Sequence, residues 1–430
     1  MPARSTPRPR VPVALVALTG AATALAGCSA APAAVTPVAV TVPAAAPGSV
    51  PATPPATVAA TVVAADRVAA PRVAAPVRRP TARAAAAAVA ATPLPRGAVV
   101  VGRNTAASCT PAALERAVKR VLARRSGTVS FACGPKPVRI TLTRPLAFTG
   151  TATSKYVLDG RRMVTLDGAN KTGIVHLPNV AGLSATFRNL SFIRARAAHQ
   201  GAAIHGGWRN RLLVEDCSFR GNVATSVKQG AFDGGGALFV HEGAATVRRS
   251  TFTGNAALNG GAIQNTIGDL LVERSAFRGN AAKVSGKLGG GGALASDSGR
   301  LVVRRSVIHG NTAGAGGGLF VWNAKNKVSR IEDTLVTGNS ATGRRMTSGF
   351  GGGIRVGQGP LVIERSTISG NKASTQGGGL YIADDAAVRV ARTAFVKNNG
   401  GYGGGAIFRV SGTVTTTRCT FKGNTPGDQR

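Results

Sequence analysis

One motif constrains the fold of this chain more than any other feature: a large apolar residue, two variable positions, then Asn. It recurs eight times, at Phe219/Asn222, Phe252/Asn255, Phe277/Asn280, Ile308/Asn311, Val336/Asn339, Ile368/Asn371, Phe395/Asn398 and Phe421/Asn424. Successive Asn residues lie 33, 25, 31, 28, 32, 27 and 26 positions apart. An imperfect copy, Phe192 with Ala195, precedes them. A strand-rich unit at such a period predicts a solenoid, in which each repeat buries its apolar face only against its neighbours.

Aligning the copies sorts positions by role. Five before the apolar residue stands a β-branched column running from Val214 through Val272 and Ile363 to Thr416, which is expected to face inward. Two before it lies a small column that begins at Cys217, continues through Ser250, Ser306 and Thr334, and ends at Cys419. Those two cysteines are seven coils apart, too far for a disulfide. Four before it, Glu215, Arg248, Glu273, Arg304 and Glu332 alternate in sign, which predicts an outward ion-pair ladder. Asn suits left-handed turns and side-chain hydrogen bonds, so Asn222, Asn255, Asn280, Asn311, Asn339, Asn371, Asn398 and Asn424 read as a structural ladder.

Charge narrows the partners. Residues 1–98 hold nine Arg and one Asp, whereas the remainder holds 44 basic and 16 acidic residues, within a net charge of +36. The repeat array itself should therefore attract polyanions. A merely well-solvated arginine-rich surface is the competing reading. Nucleic acid is not the expected partner.

The N-terminal part is organised differently. Residues 1–27 read as an export signal, with Arg4, Arg8 and Arg10 before an uncharged apolar stretch. Leu25-Ala-Gly-Cys28 resembles a bacterial lipobox, which implies lipidation of Cys28 and anchoring at the extracellular face of a cell membrane. An ordinary signal peptide cut nearby is the other reading. Residues 28–98, rich in Ala, Pro, Val and Thr, read as a disordered spacer. Residues 99–134 read as an N-terminal helical cap: Thr110-Pro111 starts a helix, Leu114, Val118, Val121 and Leu122 share one face, and Gly127 ends it. Cys109 and Cys133 flank the cap, as a disulfide or as two thiols. The solenoid then covers 135–430. Its first coils are looser, with strands at 138–142, 156–160, 164–168 and 183–187, and regular repeats fill 201–430. Asp159 and Asp167 precede glycines and read as turn residues.

These columns resemble the right-handed parallel β-helix of the pectin-lyase-like superfamily. Glycine-led strands such as Gly235-Gly-Ala-Leu238, Gly260-Gly-Ala-Ile263, Gly291-Gly-Ala-Leu294 and Gly404-Gly-Ala-Ile407, each followed by the Asn motif, resemble polymorphic outer-membrane protein repeats. The resemblance implies an all-β, right-handed parallel β-helix and a place among bacterial surface and adhesin-like proteins. Where that family carries an outer-membrane barrel, this sequence offers a lipobox.

Period-two counting places an aromatic strip outward from the glycine-led strands: His205, Phe239, His241, Phe320, Trp322, Arg355, Tyr381 and Phe408, with Gln264 and Asp297 among them. Aromatic faces stack on sugars, and Arg or His can hold carboxylates. Lys228, Lys283, Lys287, Arg344 and Arg345 lie on loops that could wall a groove or instead fold over the strip. Catalysis by an enzyme of this fold class would need clustered carboxylates, for which Asp216, Asp233 and Glu242 are the weak candidates. Asp216 is expected to pair with Arg249. No metal motif or phosphate loop appears, so no cofactor is expected, and Ca²⁺ only if the protein were a lyase. The reading reached is a surface-anchored β-helix that binds anionic polysaccharide or a cell-surface component. The alternatives are a polysaccharide lyase or glycosidase, and a structural envelope protein.

Overall fold

The computed structural model describes residues 94–225, 233–283, 290–343 and 348–428. The export signal, Cys28 and the spacer up to residue 93 lie outside these ranges. The described chain winds as a right-handed parallel β-solenoid of about 11 turns.

Each regular coil repeats one path. Strand Leu238–His241 leads through a turn into Ala244–Arg248, a bend at Arg249, then Thr251–Thr253, a turn at Gly254 and the two-residue strand Ala256–Ala257. Pairing to the next coil is parallel and in register: Leu238 with Ile263, Val247 with Val272, Phe252 with Phe277, Ala256 with Ala281. Three stacks of strands result: the glycine-led strands, a bent stack carrying two strands per coil, and the two-residue strands.

The core is built from columns. Val214, Val247, Val272, Val303, Ile331, Ile363 and Val390 are fully buried, as are the apolar residues of the motif from Phe192 to Phe395. Phe192, Phe219, Phe252 and Phe277 stack ring on ring at 4.8, 4.6 and 4.7 Å. Thr416 and Phe421, in the last coil, retain exposure. In the small column Ser250 Oγ accepts from the Cys217 N–H at 3.1 Å and donates to the Arg248 carbonyl at 2.8 Å. Cys217 and Cys419 remain thiols.

The Asn column is continuous. Asn255 Nδ2 donates to Asn280 Oδ1 at 2.9 Å and to the Phe219 carbonyl at 3.2 Å. Its Oδ1 accepts from the Asn222 Nδ2 at 2.8 Å and the Asn222 main-chain N–H at 3.1 Å. Asn–Asn bonds run on to Asn424, which turns its Nδ2 to Asp428 at 2.8 Å.

At the N-terminal end, helix Pro111–Ala123 is capped by Thr110 Oγ1, which accepts from the Ala113 N–H at 3.1 Å. It buries Leu114, Ala117, Val118 and Val121, with Leu122 only partly covered. The helix stops before Gly127 because strand pairing already begins at Ser126, opposite Lys155. Arg125 makes the reversal in a left-handed conformation. Cys109 and Cys133 form a disulfide with Cα atoms 5.7 Å apart. The strands expected at 156–160 and 164–168 are one bent strand, Lys155–Asp167. Both of its aspartates are held by arginines of the next coil, Asp159 by Arg188 at 2.9 Å and Asp167 by Arg194.

Candidate binding faces

Outward from the glycine-led strands runs one column, a residue per coil: His176, His205, Phe239, Gln264, Ala295, Phe320, Arg355, Tyr381 and Phe408. His241, Thr266, Asp297 and Trp322 form a second column beside it. The expectation of an exposed strip is corrected here. Phe239, Phe320, Arg355 and Tyr381 are 1, 4, 5 and 6% exposed. His205, His241, Trp322 and Phe408 are half-buried. The reason is the coil spacing, since outward rings one strand apart lie on one another and hide their faces. His176 stacks on His205 at 4.7 Å, His205 on Phe239 at 5.6 Å, and Tyr381 on Phe408 at 5.9 Å. Phe350 covers Tyr381 at 4.5 Å, and the Arg355 guanidinium lies 5.2 Å from the Phe320 ring. These columns are a second packing layer outside the core. Of the loop cations, Lys283 is exposed, and Lys228, Lys287, Arg344 and Arg345 lie outside the described residues.

Burial, then the neighbouring His176, pushes His205 down to about 4. An unfolded His titrates at about 6.5, so between those values the unfolded chain takes up a proton that the folded chain refuses. Stability therefore falls as pH drops through that window, by on the order of 2–3 kcal/mol. His205→Phe, which continues the stack, is expected to remove this share of the acid sensitivity. Urea midpoints compared at neutral and mildly acid pH for both proteins check it.

The three carboxylate candidates sit at different corners of the coil. Asp216, at the bend before Phe219, accepts from Arg249 Nη2 at 2.8 Å and has Arg162 at 3.6 Å. Glu242, in the turn after Leu238–His241, accepts from Arg209 Nε at 3.0 Å and lies 3.7 Å from His241 Nε2. Asp233, just before the glycine run, lies 4.0 Å from His199 Nδ1. Among the described residues no three His, Cys, Asp or Glu side chains converge to hold a metal.

A different column faces solvent. The bend residue three before each apolar motif residue is Asn189, Asp216, Arg249, Arg274, Arg305, Asp333, Arg365, Arg392 or Arg418, all left-handed with φ between 45 and 57°. Arg274, Arg305, Arg392 and Arg418 are exposed. Arg365 pairs with Asp333 at 2.8 Å and Glu364 at 3.0 Å, and Arg305 reaches Glu273 at 3.3 Å. Glu273 also meets Arg304 at 3.3 Å and Arg248 at 3.9 Å, so one acid serves three cations. Sequence reasoning passed over this column, although its signal was there. The inward columns at five and two before the motif are an odd number apart, which demands a bend between them.

Residues 162–340 match the family described as right handed beta helix region, and residues 365–383 match the Chlamydia polymorphic membrane protein repeat. No curated protein matches the chain. Among solved structures, the A-module of a mannuronan C-5 epimerase from Azotobacter vinelandii is 14% identical with a TM-score of 0.36, covering 72% of this chain and 94% of that one. A periplasmic alginate epimerase is 11% identical with a TM-score of 0.34, covering 69% and 76%. A pectate lyase is 13% identical with a TM-score of 0.32, covering 70% and 72%. These likenesses concern the fold alone.

Proposed function

We propose that this right-handed β-helix with a polymorphic-membrane-protein type repeat is an exported surface protein that binds anionic polysaccharide without turning it over. In this reading Cys28 carries a lipid anchor, and the segment up to residue 98 spaces the solenoid from the membrane. The observation that carries it is the charge arrangement. Arginines occupy a solvent-facing column along the solenoid, and the carboxylates beside it are already engaged by them. The separation of Asp216, Asp233 and Glu242 over three corners favours binding over polysaccharide cleavage.

The test is a panel of neutral and uronate-bearing glycans presented to the full chain, read for both retention and release of unsaturated products. Retention on uronate glycans that weakens with rising salt is expected, because exposed charges are screened. Equal retention on neutral glycans would sink the proposal. Product release that is lost in Asp233→Ala would replace it with a lyase.

A further inference from the structure

We infer that the bend column is the binding site for a linear polyuronate lying along the solenoid axis, held at two cation clusters four coils apart. The inference rests on the polysaccharide reading and gives it a location away from the aromatic strip.

The column carries one charge pattern twice: Asp216, Arg249, Arg274, Arg305, and then Asp333, Arg365, Arg392, Arg418. In each run the aspartate fixes the first arginine with two bonds. Arg249 donates to Asp216 through Nη2 at 2.8 Å and Nε at 3.2 Å, and Arg365 donates to Asp333 through Nε at 2.8 Å and Nη2 at 3.2 Å. The second and third arginines of each run have no acid in the column. Arg305 shares Glu273 with Arg248 and Arg304.

Geometry defines the ligand. Coils repeat at about 4.8 Å, so each run offers, beyond the arginine paired with its aspartate, two more arginines at roughly that spacing. Like charges so close repel, and an anion laid between them relieves the repulsion. A sugar residue in an extended 1,4-linked chain advances by a comparable length, so the carboxylates that turn toward the column recur at whole numbers of coils and meet its arginines. Guanidinium pairs with carboxylate through two parallel bonds, which suits a uronate. Along one flank the first run is bordered by Arg220, Thr253, Arg278 and His309, and the second by Thr337, Ser369, Val396 and Lys422. Arginine also stands at left-handed positions outside the column, at Arg125, Arg161, Arg162, Arg194 and Arg209, although such a backbone does not call for it. Left-handed positions favour Asn, Asp and Gly, and Asn189 is the column's own example.

The same preference supplies a variant that keeps the fold. Arg274→Asn, Arg305→Asn, Arg392→Asn and Arg418→Asn combined remove four charges while placing a favoured residue at each bend. The control removes four charges from the cap helix region: Arg116→Gln, Lys119→Gln, Arg120→Gln and Arg124→Gln. Binding of the full chain to polygalacturonate fragments of graded length is measured by calorimetry, and urea midpoints verify folding. The column variant is expected to lose at least about 10-fold in affinity and the control less than about 2-fold. Wild-type affinity should rise steeply once a fragment spans both clusters, because the second contact becomes intramolecular. Equal losses in the two variants, or none in the column variant, would overturn the site while leaving polysaccharide binding intact. Failure of the wild type to bind polygalacturonate would overturn the functional proposal itself. Tighter binding to duplex DNA or phosphatidylglycerol vesicles, lost in the column variant, would overturn the polyuronate as occupant.

Discussion

Replacing Asn311 by Ala is expected to cost the solenoid about 4–6 kcal/mol, a large share of a domain's stability. Asn311 is fully buried in the middle of the ladder. Its Oδ1 accepts from the Asn280 N–H and the Asn280 Nδ2, each at 2.9 Å. Its Nδ2 donates to the Phe277 carbonyl at 3.2 Å and to Asn339 Oδ1 at 2.9 Å. Alanine leaves two donors and a carbonyl of the preceding coils buried without partners, at about 1–3 kcal/mol each. Asn424→Ala removes the same kinds of bond in the last coil, where water can replace them, and should cost about 1–2 kcal/mol. Asn311→Asp separates shape from hydrogen bonding. The ionised side chain keeps the acceptor, loses both donors and faces Asn339 Oδ1. Burial would raise its folded pKa above the unfolded value of about 3.9, so the damage is full at neutral pH and shrinks as pH falls through the folded value. Urea midpoints of the three variants across that range check the series. Equal costs for Asn311→Ala and Asn424→Ala would mean that the ladder contributes no more than a turn.

The inward columns were legible because their evidence is local. Val272, Ser275, Phe277 and Asn280 each carry a side chain with one sensible environment, and repetition aligns them. The aromatic strip was misjudged because direction and exposure are different properties. Phe239 does point away from the core, yet it stacks on His205 and is covered. A sequence states the direction through its period of two, but the cover depends on which rings meet across coils. The bend column was missed for a related reason. Alternation counted from the column five before the motif puts the residue three before it inside, where six arginines make no sense. Only the left-handed φ at Arg249 and its counterparts turns that column outward, and arginine is not a residue type that signals such a backbone.

The glycines of each coil fall into two roles with very different tolerance for a side chain. Gly254 has φ 62° and nothing within 4 Å of where a Cβ would stand. Arg194 and Lys397 occupy the equivalent position in other coils with φ 51° and 53°. Gly254→Ala should therefore cost about 1 kcal/mol, the strain of a left-handed residue. Gly261 lies where the chain passes directly over the next coil. A Cβ there would overlap the Gly292 carbonyl oxygen and lie 2.6 Å from both the carbonyl carbon and oxygen of Ala281. Gly236, Gly292, Gly317 and Gly352 meet the main chain of their neighbours in the same way, so the close approach recurs along the array, whereas Ala202 stands at this position in the coil before them. Main chain held in two ladders cannot step aside as a side-chain tip can. Gly261→Ala is expected to cost about 4 kcal/mol or more, beyond the usual range for overpacking. It should also loosen strand Ile263–Thr266, which the glycine sets against the two-residue strands. Urea midpoints of the two alanine variants, with amide exchange followed in that strand, decide the matter. If Gly261→Ala proves no worse than Gly254→Ala, the glycine runs serve turn formation alone, and the close approach does not set the spacing between the stacks.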